Sequence, residues 1–247
     1  MKAIILAAGR GTRLKPLTNK TPKALVEISG KPILQWQIEA YLFSGIKESE
    51  IFVVGGYKSE KIKSFLKKYY PKVNLIINNS YKTTNNMYSL YLASKNLIKD
   101  DIIVSNGDCI YDFEIVREFV NFGFCNSIAC DVGKYNKENM KVYVEGGKIR
   151  SISKNISQEE AYGLSVDLYK ISSKNIEDFL EVIKTILKED KQLWAEEALN
   201  VFVKKHEMYP FDINKRLWFE IDTLEDLKAA HALFSNYEFL TRHYLPR

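Results

Sequence analysis

The sequence has few cysteines. Cys109, Cys125 and Cys130 are the whole set in 247 residues, and no two form a CxxC pair. An odd, scattered set argues against a disulfide framework and against a cysteine-built zinc site. The three histidines, His206, His231 and His243, fall into no HxH or HExxH pattern, which argues against a histidine-ligated metal. No proline-, glycine- or serine-rich stretch divides the chain, and no internal repeat is visible. Long apolar runs are missing too, and nothing approaches the ~20 residues of a membrane span. The opening run Met1–Leu6 gives way to glycine and arginine too soon for a secretory leader. A cytoplasmic protein with no membrane insertion is therefore expected. Neither charge sign dominates: 36 Lys and Arg face 31 Asp and Glu, for a formal +5. Lysine is spread along the chain rather than gathered in a basic stripe, and no RNP or helix-turn-helix pattern occurs, so no nucleic-acid partner is expected. The mild excess does suit a small phosphate-bearing ligand.

What is present is an alternation. Ala3–Leu6, Ile51–Val54, Val73–Ile77 and Ile102–Ser105 read as short apolar strands. Between them, 32–44, Lys58–Tyr69, Asn86–Leu97 and Phe113–Phe122 have helical spacing. Continuous apolar strands separated by helices predict a parallel sheet covered on both faces. After about Ser127 the pattern changes. Met140–Val144 and Lys148–Ile152 alternate around Gly146-Gly147, a hairpin signal. Gly163–Ile171 is another alternating strand. The helical stretches 175–188 and 194–204, the short strand 218–221 and a last helix, Leu224–Phe234, follow. The expectation is an α/β protein with a mixed, mainly parallel sheet and a C-terminal α+β part. Residues 1–247 form one domain: 1–126 one half, 127–235 the other and 236–247 a tail. Ligands of open α/β sheets bind beyond the carboxyl ends of the strands, where Gly9, Gly55-Gly56, Asn106-Gly107-Asp108 and Asp222 all lie.

The most specific feature is LAAGRGTRLKPLTNKTPKAL, Leu6 to Leu25. Small residues after a strand let the backbone approach a ligand, and their N–H groups can cradle phosphate oxygens. Arg13 and Lys23 add positive charge. The dinucleotide fingerprint GxGxxG is excluded because position 14 is leucine, and the P-loop GxxxxGK[ST] is absent.

Leu6–Leu25 resembles the signature of the nucleoside-triphosphate transferase family, enzymes that join a nucleoside monophosphate to a phosphorylated acceptor and release pyrophosphate. The resemblance continues in Ile103–Asp108, similar to the family's strand ending in a metal-binding aspartate. It continues again in Trp218–Thr223, similar to the late strand carrying a second one. It implies the nucleotide-diphospho-sugar transferase fold, catalytic roles for Arg13, Lys23, Asp108 and Asp222, and Mg²⁺ held by Asp108 and Asp222. It also implies nucleotide binding by Leu6, Ala7, Ala8, Gly9, Gly11, Thr12, Arg13, Lys23 and Gly107. The nucleophile is then an anionic phosphate oxygen, so no general base is needed. Asp108 and Asp222 could instead serve as helix caps.

Thr83-Thr84-Asn85-Asn86-Met87-Tyr88-Ser89-Leu90 stands where sugar-1-phosphate members carry a glycine-rich LGTGGA-like segment. TNNxxSL is similar to the phosphocholine cytidylyltransferase branch. That implies CTP, with Asn85, Asn86 and Ser89 reading the pyrimidine. The bland alternative is that the asparagines cap the helix and Ser89 faces inward. A cationic acceptor needs carboxylates and aromatic faces. Glu220, Glu196, Trp194, Trp218 and Tyr162 are the candidates, although each aromatic could equally be core. By resemblance Lys154 grips the acceptor phosphate, unless it is only a surface lysine. The expected reaction is condensation of CTP with phosphocholine or a related amine or amide phosphate or phosphonate. The alternative is a sugar- or polyol-1-phosphate nucleotidyltransferase using CTP, UTP or GTP. A non-catalytic nucleotide-binding module is disfavoured because Lys23, Asp108 and Asp222 are all present. The tail, with Tyr237, Phe239, Tyr244 and Leu245, is apolar enough to dock on the body or on a second copy in a homodimer.

Overall fold

A computed structural model of the protein describes residues 1–124 and 126–235. Cys125 and the tail with its expected docking lie outside the described residues. The chain opens with β1 (Lys2–Ala7), and three single turns of 3₁₀ helix shape the loop that follows. A minimal hairpin, β2 (Glu27–Ile28) and β3 (Lys31–Pro32), leads into α1 (Ile33–Phe43). Then come β4 (Ile51–Gly55), α2 (Ser59–Tyr69), β5 (Asn74–Ile77), α3 (Asn86–Ser94), β6 (Ile102–Asn106), β7 (Cys109–Tyr111) and α4 (Phe113–Asn121). The second half contains β8 (Ser127–Val132), β9 (Lys141–Glu145), β10 (Lys148–Ser153), β11 (Gly163–Ile171), α5 (Ile176–Glu189) and α6 (Ala195–Phe202). It ends with β12 (Tyr209–Asp212), β13 (Trp218–Glu220) and α7 (Leu224–Phe234).

Among the described residues, nine strands make one mixed sheet. Its first half, β6-β1-β4-β5, is wholly parallel. The long strand β11 joins the halves. It runs antiparallel to β6 at Leu168–Ile171 and to β9 at Gly163–Leu164, and its other edge carries β8. Alternation along β1 explains why its strand is apolar throughout. Ala3, Ile5 and Ala7 enter a core with α1, α2, α4 and α7, while Ile4 and Leu6 enter a second core with α3, α5 and α6.

The sequence pattern does not predict β7, β8 or β12. β7 has three residues and pairs with β13, more than a hundred positions away. β12 contains Pro210, which weakens any strand signal, and among the described residues it pairs only with β8, at the sheet edge where proline is tolerated. β8 alternates no polarity because Ser127–Cys130 are all buried.

Strand register brings the site together. Ala7 lies beside Gly55 and Leu6 beside Asn106, so the carboxyl ends of β1, β4 and β6 are level. The two-stranded sheet of β7 and β13 pairs Cys109 with Glu220, and the Ile221 amide donates to the Asp108 carbonyl at 2.9 Å. That pairing sets Asp108 against Asp222 across the chain.

Candidate active site

Neither aspartate is a helix cap. Asp112 caps α4 by accepting from the Glu114 amide. Thr223 and Asp226 cap α7 reciprocally, the Thr223 hydroxyl accepting from the Asp226 amide and the Asp226 carboxylate from the Thr223 amide. Asp108 and Asp222 therefore point their carboxylates elsewhere, into a cavity at the strand ends. The turn bearing Asp108 is tightly built. Gly107 lies so close to β1 that a Cβ there would come within 2.7 Å of the Leu6 carbonyl oxygen. From α1, the buried Gln37 amide donates to the carbonyls of Asn106 and Cys109, and its oxygen accepts from Ser105 Oγ.

The glycine loop supplies the opposite charge. Gly11 sits at φ +60°, the left-handed region that favours glycine, and its carbonyl accepts from Thr18 Oγ1 at 2.7 Å. This fold of the loop sends Lys23 inward, only 9% exposed. Its Nζ lies 2.7 Å from Asp108 Oδ2 and 2.7 Å from Asp222 Oδ1. Arg13 Nη2 is 2.7 Å from Asp222 Oδ2, yet the side chain remains 66% exposed at the cavity mouth. Burial works to lower the Lys23 pKa, but the two carboxylates outweigh it and hold the ammonium above its ordinary value. Burial likewise works to raise Asp222, and Lys23 and Arg13 hold it below the usual carboxylate range.

A polar wall faces this pair. Asn85 caps α3 through its Oδ1 and ties the helix to the Gln192 carbonyl through Nδ2. Asn86 bridges two elements, donating to Asn106 Oδ1 and accepting from the Ala195 amide at the start of α6. Ser89 is buried and accepts from Asn78 Nδ2. Each has a structural bond and still lines the cavity, as do Leu6, Ala8 and Gly9.

The wall adjoining the aspartate pair is also acidic. Glu196 from α6, Glu220 from β13 and Asp167 from β11 line it, with Asn139 donating to Glu220 Oε2 at 2.7 Å. Burial first, then the neighbouring acids, push Glu196 up to about 7, Asp167 to about 8 and Glu220 to about 9. Trp194 is 43% exposed and lines the same cavity, so it is not a core residue. The exposed Lys154 ammonium sits 5.2 Å from its ring centroid.

A strand-end cavity with paired aspartates, a glycine loop and two inward cations matches a known pattern. The model of the nucleotidyl transferase family matches residues 2–233. The chain belongs to that family. It is 32% identical over 230 residues to a bifunctional IPC transferase and DIPP synthase of Aquifex aeolicus, covering 92% of this chain and 50% of the relative. It is 46% identical over 103 residues to a choline-phosphate cytidylyltransferase of Streptococcus pneumoniae, covering 42% of this chain and 43% of the relative. The chain thus spans about half the length of the curated relatives it matches. The solved CTP:phosphocholine cytidylyltransferase from Streptococcus pneumoniae superposes with a TM-score of 0.78 at 28% identity, over 94% of this chain and 98% of that one.

Nucleotidyl transferases generally use a divalent metal, which neutralises phosphate charge. Here Asp108, Glu220 and Asp222 offer carboxylate oxygens within 4.8 Å of one another, a hard-oxygen set that suits Mg²⁺. The Lys23 ammonium already bridges two of them, so the pair is built to hold a cation.

Several expected residues do not line the cavity. Tyr162 packs against the second apolar core near the hairpin, and its amide donates to the Val142 carbonyl. Trp218 borders an adjoining depression with Arg13 and Asp226, and its indole N–H donates to Asp131 Oδ2 at 3.0 Å. Ala7, Gly11, Thr12, Gly107 and Lys23 are not among the cavity's lining residues either, although the Lys23 ammonium reaches both aspartates. Asn78, Asn139 and Asp167 line the cavity although the sequence pattern does not single them out. Asp167 had a readable signal, an acid in the middle of a buried strand, GLSVDLYKI.

Among the described residues no helix is long and apolar enough to cross a membrane.

Proposed function

We propose that the protein is a Mg²⁺-dependent cytidylyltransferase that condenses CTP with a small phosphorylated acceptor, phosphocholine or a related amine or amide phosphate or phosphonate. An acceptor phosphate oxygen attacks the α-phosphorus of CTP, the α–β phosphoanhydride bond breaks, and pyrophosphate leaves. The observation that carries this reading is the Lys23 ammonium held between Asp108 and Asp222 at the parallel strand ends, with Arg13 at the mouth.

The chain's own residues supply alignment and charge. Backbone amides of Ala8–Gly11 face the triphosphate, and Thr12 and Arg13 follow it outward. Arg13 stabilises the charge that grows on departing pyrophosphate. Lys23 offsets the mutual repulsion of Asp108 and Asp222 and moves onto phosphate oxygens as substrates bind. Asn85, Asn86 and Ser89 read the cytosine edge, Lys154 grips the acceptor phosphate, and Trp194, Glu196 and Glu220 surround its headgroup. Asp108 and Asp222 would hold Mg²⁺, which neutralises charge shared by the two substrates. No side chain takes a proton in the chemical step, because the attacking phosphate is already ionised. A single 1–247 catalytic domain in the cytoplasm fits these small, charged substrates.

The test offers CTP, UTP, GTP and ATP with Mg²⁺ against phosphorylated amines, amides and sugar 1-phosphates and follows pyrophosphate. Release with CTP and an amine or amide phosphate or phosphonate is expected. Release confined to sugar 1-phosphates, or absent from every CTP pairing, would overturn the reading.

A further inference from the structure

We infer that the acceptor's headgroup is an ammonium bearing N–H bonds, a primary amine rather than a trimethylated one, received by Asp167, Glu196 and Glu220. The inference rests on the cytidylyltransferase reading and narrows it. The acidic wall of the cavity is shaped by an unusual stretch of backbone. Asp167 lies in the middle of β11 at φ +57°, a left-handed conformation costly for a residue with a Cβ. The register between β11 and β8 slips at this point, between Ser165 and Tyr169. The Asp167 amide donates to Ser165 Oγ, and Tyr111 Oη donates to its carbonyl, so the conformation is held from both sides. Asp167 lines the cavity, with its carboxylate accepting from the Asn106 side chain.

Glu196 supplies an independent observation. It is only 6% exposed and lines the same cavity, and no other described residue donates a hydrogen bond to its carboxylate. A buried carboxylate without a donor is costly, so a ligand donor is expected there. Glu220 has one donor, Asn139, and free lone pairs beyond it. Asp167 accepts from the Asn106 side chain and has Cys109 Sγ 3.9 Å away, so the donor shortage is sharpest at Glu196, while among the described residues none of the three carboxylates has an ion-pair partner.

The shape of that shortage selects the ligand. A primary ammonium carries one charge and three N–H donors, one for each carboxylate. A quaternary ammonium carries the charge but no donor, and it is held by aromatic faces. Aromatic surface is scarce in this cavity. Among its described lining residues only Tyr81 and Trp194 are aromatic, and Trp194 already has the Lys154 ammonium over its ring. A trimethylammonium group would desolvate the carboxylates and bond none of them.

The experiment is an N-methylation series. Phosphoethanolamine and its N-methyl, N,N-dimethyl and N,N,N-trimethyl forms, and the matching 2-aminoethylphosphonates, are compared as acceptors with CTP and Mg²⁺. A stepwise fall in kcat/KM with each lost N–H is expected, at least tenfold from the primary to the quaternary member in whichever arm is used. Asp167→Asn and Glu196→Gln should raise KM for the primary amine and flatten the series while leaving CTP affinity unchanged, which also reports that the variants fold. A flat series, or one that favours the quaternary member, overturns the inference while cytidylyl transfer itself stands. No turnover across both arms, with activity on sugar 1-phosphates, overturns both readings.

Discussion

Two neighbouring sets of acids in the cavity stand in opposite circumstances, although Glu220 reaches within 4.8 Å of both aspartates. Asp108 and Asp222 are fully partnered, with Lys23 between them and Arg13 outside. Beside them Asp167, Glu196 and Glu220 have asparagine donors at Asp167 and Glu220 but no cation of their own, and their pKa values are raised to between about 7 and 9. The first set carries its own counter-charge and can be complete before any ligand arrives. The second must take its positive charge from outside.

The sharpest way to break the comparison is at the balanced set. Asp108→Asn with Asp222→Asn should cut turnover by about 10³-fold or more, because the metal and phosphate charge lose their anchor. Near-normal steady-state rates would make the two sets equivalent. Next in size is Lys23→Met. It leaves two partly buried carboxylates without their shared cation, so turnover should fall about 10²-fold and the unliganded protein should lose about 2 kcal/mol in denaturant unfolding. Mg²⁺ should restore much of that stability.

The unbalanced set should respond with the opposite sign. The Glu196 pKa is higher in the folded protein than in the unfolded chain, so the native state keeps its proton longer. The resulting penalty is absent below about pH 4.5, grows as pH rises, and is complete above about pH 7. Glu196→Gln should therefore match the parent at pH 4.5 and exceed it at pH 8 by about 1–2 kcal/mol in urea melts. A variant that is less stable at pH 8 would mean that the acid is satisfied as it stands. The smallest expected effect is positional. Gln37→Leu removes the clamp on the turn that carries Asp108, and kcat should drop about tenfold with KM for CTP little changed.

How much of this was legible depended on where the information sits. The glycine loop, Asp108 and Asp222 announced themselves because the loop chemistry is local and the aspartates follow recognisable strands. The parallel half was legible for the same reason, since strands buried on both faces read as continuous apolar runs. The pairing of β7 with β13 was not, because three-residue strands so far apart leave no periodic trace. Trp218 and Tyr162 were offered to the acceptor site from aromaticity alone, which does not report which side of a strand or hairpin a ring takes. Asp167 was overlooked because an alternating pattern invites reading one polar residue as solvent-facing. A bulge and a left-handed backbone turn it inward instead. Lys23 was expected at phosphate, and its place between the aspartates came only from the folded loop.

The most direct test of the central claim follows atoms. An acceptor amine phosphate labelled with ¹⁸O in its non-bridging positions is incubated with CTP, Mg²⁺ and the protein, and the products are read by ³¹P NMR and mass spectrometry. The expected result is unlabelled pyrophosphate together with a CDP-linked product that retains the whole label, including the oxygen between the two phosphorus atoms. Label in the pyrophosphate, or CDP with inorganic phosphate and no linked product, would contradict direct attack by the acceptor phosphate at a site organised around Asp108, Asp222 and Lys23.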